Sequence, residues 1–261
     1  MTKVSTITPC YRMSKYMSGF LENLKTQTHK DLEIVMDHND PSDYEITLID
    51  EYQESYNNLT HIKVEGVDPI GVSMNRCIEY SSGDYLCIWN VDDLRTPNSI
   101  EIMAKTLDEN PEVDFVYGNF IVVSSFGSTE GKVVDETGRE NELTSSMILG
   151  PFFMVRKSSL NKSGIFDEQL IQGADYDLAL RLAFTGKGIH IKDILGYYLN
   201  ESLGQSTKPN SKQPLERTVI ELRYGLNVLE PKIIPTARSE YNIENIIFND
   251  QEHLAKKFQS S

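Results

Sequence analysis

Tyr85-Leu86-Cys87-Ile88-Trp89-Asn90-Val91-Asp92-Asp93 is the most informative run in the chain: an unbroken apolar stretch of strand length that empties directly into two adjacent carboxylates. On its N-terminal side the same grammar recurs. Lys3 to Ile7 reads as a strand. Ser14 to Gln27 sets Met17, Phe20, Leu21 and Leu24 on one helical face, and Leu32 to Met36 is a second strand ending at Asp37. A helix near Tyr44 to Tyr52, a strand at His61 to Val64 and a helix from Val72 to Tyr80 lead back to the opening run. Beyond it, a helix starts at Pro97 and ends near Asn110-Pro111, before a strand at Asp114 to Tyr117. This alternation is the pattern of an α/β sheet covered on both faces by helices. In such sheets ligands bind outside the carboxyl ends of strands, so Thr8 to Tyr11, Asp37 to Asp40 and Asn90 to Asp93 are expected to share one crevice.

The second half is less regular. Asn119 to Val134 reads as a hairpin with Gly127, Ser128 and Gly131 in the turn, Phe152 to Arg156 as a strand, Asp175 to Phe184 as a helix and Gly188 to Leu199 as a pair of short strands. A polar stretch with Pro209 and Pro214 precedes a helical pattern over Leu215 to Leu229. The expected organisation is a catalytic domain over 1–206 and a C-terminal helical appendage over 207–261, which packs on that domain, forms a homodimer or docks a partner enzyme.

With 261 residues and 39% hydrophobic content the chain can bury one sizeable core. The net charge of −14, without a Lys/Arg cluster, disfavours nucleic acid and anionic membrane surfaces. Cys10, Cys77 and Cys87 are odd in number and lack metal-ligand spacing, which argues against a disulfide framework and a structural zinc site and fits a reducing cytoplasm. No stretch approaches the ~20 apolar residues of a transmembrane segment.

Adjacent carboxylates at a strand exit can hold Mg²⁺ or Mn²⁺ against a diphosphate; the commoner reading of such a pair is a solvated turn capping the next helix. Three ordered segments decide between them. Residues 7–43 (ITPCYRMSKYMSGFLENLKTQTHKDLEIVMDHNDPSD), 75–101 (NRCIEYSSGDYLCIWNVDDLRTPNSIE) and 164–186 (GIFDEQLIQGADYDLALRLAFTG) resemble, in order and separation, the nucleotide, metal and base segments of family 2 glycosyltransferases. The resemblance implies a GT-A fold with a mixed central sheet and an inverting transfer of a hexosyl or N-acetylhexosaminyl group. The donor would be a nucleotide-diphosphate sugar, UDP-linked in most relatives, and the acceptor a saccharide or lipid-linked saccharide.

By position, Thr8, Pro9, Tyr11 and Asp37 would line the base and ribose pocket, with His38 or Asp40 as alternatives to Asp37. Asn75 and Arg76 would face the donor, and Asn90 would stand where the family has an Asp at the ribose. Asp92 would hold the metal, with Asp93 as supporting ligand or orienter, and Asp175 would be the catalytic base. Three departures stand out: Asn90 for Asp, Ala174 for the Glu that precedes the base, and Asn200-Glu201 where many members carry a His. They motivate a second reading, a non-catalytic nucleotide-sugar or glycan-binding relative. A nucleotidyltransferase would need a glycine-rich basic loop, which Thr8 to Lys15 is not. Gly150 to Phe153 lies where members build an acceptor wall, and its rings suit either sugar stacking or a buried strand.

Overall fold

The computed structural model describes residues 2–201 and 211–244. The first half forms the expected parallel units: β1 (Val4–Tyr11), α1 (Ser14–Lys25), β2 (Leu32–Asn39), α2 (Asp43–Gln53), β3 (Leu59–Val64), α3 (Ile70–Tyr80) and β4 (Tyr85–Ile88). After the two-residue strand β5 (Leu94–Arg95) come α4 (Ser99–Glu109), β6 (Phe115–Val123), β7 (Lys132–Val134), β8 (Phe153–Arg156), the single turn α5 (Leu160–Ser163), α6 (Ala174–Thr185), β9 (Gly188–Leu199), α7 (Gln213–Arg223) and α8 (Ile234–Glu240).

One sheet runs in the order β3-β2-β1-β4-β8-β6-β9-β5, with β7 paired to β6. Strands β1 to β4 are mutually parallel, with β1 between β2 and β4. The strand order therefore reverses at β1, and the carboxyl ends of β1, β2 and β4 open the crevice typical of such a switch point. Strand β8 enters antiparallel to both β4 and β6, which makes the sheet mixed.

Alternate side chains of the central strands feed two cores, one on each face. Cys87, Phe152 and Met154 join Met17, Phe20, Trp89, Ile100 and Met103 on one side. Leu86, Phe153 and Val155 join Met74, Leu178, Leu180, Val219, Ile220 and Tyr224 on the other. Helix α7 thus buries Val219 and Ile220 in the same core as α6, whose first turn carries Asp175.

Two elements differ from expectation. Gly188 to Leu199 is one strand rather than two; its pairing with β6 slips in register around Asn119, and the exposed Lys192 and Asp193 at that irregularity break the apolar pattern. Helix α7 ends at Arg223 rather than Leu229. Gly225 adopts φ +64 just beyond its last turn, a left-handed stop, although Leu226 and Leu229 prolong the helical spacing.

Candidate functional site

The loop after β4 is held by its own side chains. Trp89 Nε1 donates to the Asp93 carbonyl at 3.0 Å, and Arg95, fully buried between the Trp89 and Phe152 rings, donates to the Ile88 carbonyl at 2.7 Å. Asp93 is 2% exposed. One of its carboxylate oxygens accepts the Leu199 amide at 3.0 Å and the other accepts the Asn90 side-chain amide at 3.2 Å. Burial, and then the neighbouring Asp92 charge, push its carboxyl up to about 8. Asp93 therefore faces inward and ties the loop to the end of β9, while the half-buried Asp92 is left to face the crevice.

Burial raises the Asp92 carboxyl, and the charge of Glu201 raises it further. Glu201, two residues past β9, is in turn held by Lys15 at 2.8 Å and by the Tyr16 hydroxyl at 2.8 Å. The Lys15 and Tyr16 contacts hold the Glu201 carboxyl below its usual range, so it stays ionised, and Asp92 and Glu201 are hard-oxygen donors of the kind Mg²⁺ or Mn²⁺ takes.

Thr8 is buried, Pro9 and Tyr11 are half-buried, and Pro9 is the direct register partner of Asp37. Arg12 and Asp40, at the ends of β1 and β2, adopt φ +55 and +48, so the chain turns sharply at the lip of the crevice. Asp37 is completely buried and both its oxygens are engaged, by Asn39 at 2.7 Å and by Arg76 at 2.6 Å. Arg76 also grips Asp68 at 2.6 Å and keeps about a quarter of its side chain exposed, so it is the guanidinium rather than Asp37 that borders solvent. Asn75 spends its amide on the 164–168 segment, binding the Phe166 carbonyl, the Phe166 amide and Glu168 at 2.9 to 3.0 Å. Close approach continues at Gly71, where a Cβ would lie 2.6 Å from the Asp167 carbonyl.

Asp175 occupies the first turn of α6 and forms part of the wall of a pocket of about 600 Å³. Ser145, Tyr176, Pro214, Arg217 and Asn227 also line it, so both the long loop before β8 and helix α7 contribute. Burial raises the Asp175 carboxyl, while the Tyr176 amide, donating at 2.8 Å, opposes this; the charge of Glu216 adds to the rise. Phe153, the first residue of β8, and Phe152 just before it are both buried and offer no ring to a sugar.

Sequence reasoning missed Glu216. From the first turn of α7 its carboxylate accepts the Ile171, Gln172 and Gly173 amides at 2.7 to 3.0 Å and the Tyr241 hydroxyl at 2.9 Å. It satisfies the amides that lead into α6, and although fully buried and outside the pocket lining, its charge acts on Asp175. Behind it, Arg223 reaches Asp167 at 2.6 Å, and Asp177 binds Arg181 and the Tyr224 hydroxyl. Arg181 is one helical turn from Asp177, but Glu216 lies 43 to 45 residues from the amides it accepts, Arg223 lies 56 from Asp167 and Tyr224 lies 47 from Asp177, and only the packing of α7 brings these together.

Solved structures of low sequence identity share this fold. TarS 1-349 of S. aureus in complex with UDP-GlcNAc superposes with a TM-score of 0.68 at 16% identity, covering 98% of this chain and 70% of that one. The mannosyltransferase PcManGT of Pyrobaculum calidifontis in complex with GDP-Man and Mn²⁺ gives 0.62 at 16% identity, covering 99% and 73%. These likenesses bear out the GT-A fold. Chondroitin synthase of Escherichia coli is 26% identical over 193 residues, which are 73% of this chain, and the chain spans 28% of that enzyme's length. Residues 5–164, more than half of the chain, match the sequence model of the family described as Glycosyl transferase family 2, and the chain belongs to that family.

Proposed function

We propose that the protein transfers a sugar from a nucleotide-diphosphate sugar to a hydroxyl of a saccharide or lipid-linked saccharide, with inversion, in polysaccharide or glycoconjugate synthesis. The observation that carries this reading is the placement of a buried-side carboxylate, Asp175, on the wall of a large pocket at the start of α6. The acceptor hydroxyl enters that pocket and its oxygen attacks the anomeric carbon as the bond to the diphosphate oxygen breaks. Asp175 takes the hydroxyl proton, and its raised proton affinity makes it a stronger base than an exposed carboxylate. Attack from the face opposite the nucleotide inverts the anomeric centre. Asp92, with Glu201 contributing negative charge nearby, would hold a divalent cation, which when bound would supply charge neutralisation for the diphosphate leaving group. The half-buried Pro9 and Tyr11 border the nucleotide, with the fully buried Thr8 behind them, and Arg76, pinned by Asp37 and Asp68, offers a cation to the phosphates. The similarity to chondroitin synthase supports a polysaccharide acceptor, and the uridine donor of the TarS complex makes a UDP-sugar the first to test.

Of the three departures, two are offset in space: Glu201 stands near Asp92 where the family has its His, and the buried Glu216 returns a carboxylate charge that acts on Asp175. Calorimetric titration with a panel of nucleoside diphosphates and their sugars, with Mn²⁺ and with chelator, tests the donor half. Metal-dependent binding of one nucleotide, with release of the diphosphate on adding an acceptor, is expected. Binding without turnover across a broad acceptor panel would favour the non-catalytic alternative, and no binding at all would remove the donor site.

A further inference from the structure

A second group of metal-type donors, which does not include Asp92, lies between β1, β2 and α2. Cys10 and His38 are direct register partners on β1 and β2, and Glu45 stands in the first turn of α2. Their Sγ, ring-nitrogen and carboxylate-oxygen atoms fall within 4.8 Å of one another, and all three residues are buried. His38 Nε2 is 3.5 Å from Glu45 Oε2, close to the ~3.3 Å between two ligands that each sit ~2.0 to 2.1 Å from a tetrahedral ion.

The hydrogen bonding leaves this group incomplete. Glu45 Oε2 serves the α2 capping box, accepting the Ser42 amide at 2.9 Å and the Ser42 hydroxyl at 2.7 Å, whereas Oε1 is buried without a hydrogen bond. His38 Nδ1 lies 3.1 Å from His61 Nε2, and the outer nitrogens of this pair, His38 Nε2 and His61 Nδ1, are both buried without one. If His38 donates to His61, its Nε2 aims a bare lone pair at the Glu45 carboxylate. If His61 donates instead, its own Nδ1 becomes a buried acceptor with no donor. Neither tautomer satisfies the pair, and buried polar atoms without partners are uncommon enough to need a cause.

We infer that Cys10, His38 and Glu45 bind a zinc-type divalent cation, with His61 orienting His38 as a hydrogen-bonded second layer. The ion accepts the Nε2 lone pair, a carboxylate oxygen and the Cys10 sulfur, and the thiol proton leaves to solvent as the metal–sulfur bond forms. Burial and the nearby Glu45 and Asp37 charges hold that thiol protonated until a cation replaces the proton. A thiolate and an imidazole select zinc over the Mg²⁺ or Mn²⁺ suited to Asp92, so the two sites differ in hardness. The ion would fasten β1, β2 and α2 together immediately behind Tyr11 and Asp37. Cysteine spacing could not reveal it, because strand register rather than sequence proximity joins Cys10 to His38.

Metal analysis of the full chain is expected to find about one zinc per chain that survives dialysis. Chelator should lower the melting temperature and added zinc restore it, and cobalt substitution should give a thiolate-to-cobalt charge-transfer band. Cys10→Ala and His38→Ala should abolish that band, His61→Phe should weaken zinc affinity about tenfold, and Asp92→Ala should leave the band intact. Zinc at far below one per chain with no thermal response overturns the inference. So does a cobalt spectrum without a thiolate band, or zinc retained in both ligand variants, which would mark an adventitious ion elsewhere. Should the ligand variants fail to fold, the wild-type cobalt spectrum decides alone.

Discussion

At the scale of single residues, the two carboxylates singled out by their local setting carry separable duties. Asp175→Asn keeps the volume and the Tyr176 contact but cannot take a proton, so donor affinity should persist while turnover falls by at least about a hundredfold, the usual worth of a general base. Near-normal single-turnover rates in that variant would take the base role from Asp175. Asp92→Ala should instead erase the difference in donor affinity between Mn²⁺ and chelator, read by titration; a difference that persists would move the cation elsewhere. Both residues were legible because each stands at a local landmark, a strand exit and a helix start. Asp93 shows how far such reading goes. Adjacency made it a second candidate ligand, but only the fold reveals that the Leu199 amide and Asn90 occupy its oxygens.

Among the elements, the decisive pairing is α7 against α6. Glu216 fixes three consecutive amides ahead of Asp175, so Glu216→Gln, which replaces one acceptor oxygen with a donor facing N–H groups, should lower turnover about tenfold or more with donor affinity unchanged. Hydrogen exchange gives an independent reading: the 171–173 amides should lose protection in the variant, and protection equal to wild type would deny Glu216 this role. The sequence offered no sign of it. Pro214 and the 3.6-residue spacing mark a helix, but nothing in a helical pattern says which carboxylate will meet a distant loop. The same limit applied to β9, where the Lys192-Asp193 interruption looked like a strand break although pairing with β6 continues beyond it. Parallel β-α units of the first half were readable because each buries a periodic face; tertiary ties such as Asn75 to Phe166 and Arg223 to Asp167 have no such periodicity.

Across the whole molecule, chemistry and anchorage occupy opposite poles of the sheet. At the amino ends of the strands Glu33 accepts the Ser5 hydroxyl, the Ser82 amide and hydroxyl, and Lys3. Burial raises its carboxyl, but these donors outweigh it and hold it at about 2. A carboxylate depressed in the folded state stabilises above its unfolded value and loses that stabilisation as pH falls. The 4.5-to-2 shift corresponds to at most about 3 kcal/mol. Glu33→Gln should therefore be destabilised relative to wild type at pH 7, with the gap closing between about pH 4.5 and 2 in denaturant titrations. A gap independent of pH would show that shape rather than charge matters there.

The reach of Glu216 back to the 171–173 loop also sets an order of events during synthesis. A nascent chain that has emerged only as far as β9 already contains every family segment, yet it lacks the carboxylate that fixes the loop before Asp175. On the role proposed for Asp175, competence waits until α7 has left the ribosome, and a fragment cut ahead of residue 216 would carry all the recognisable motifs while the loop before Asp175 lacked its anchor.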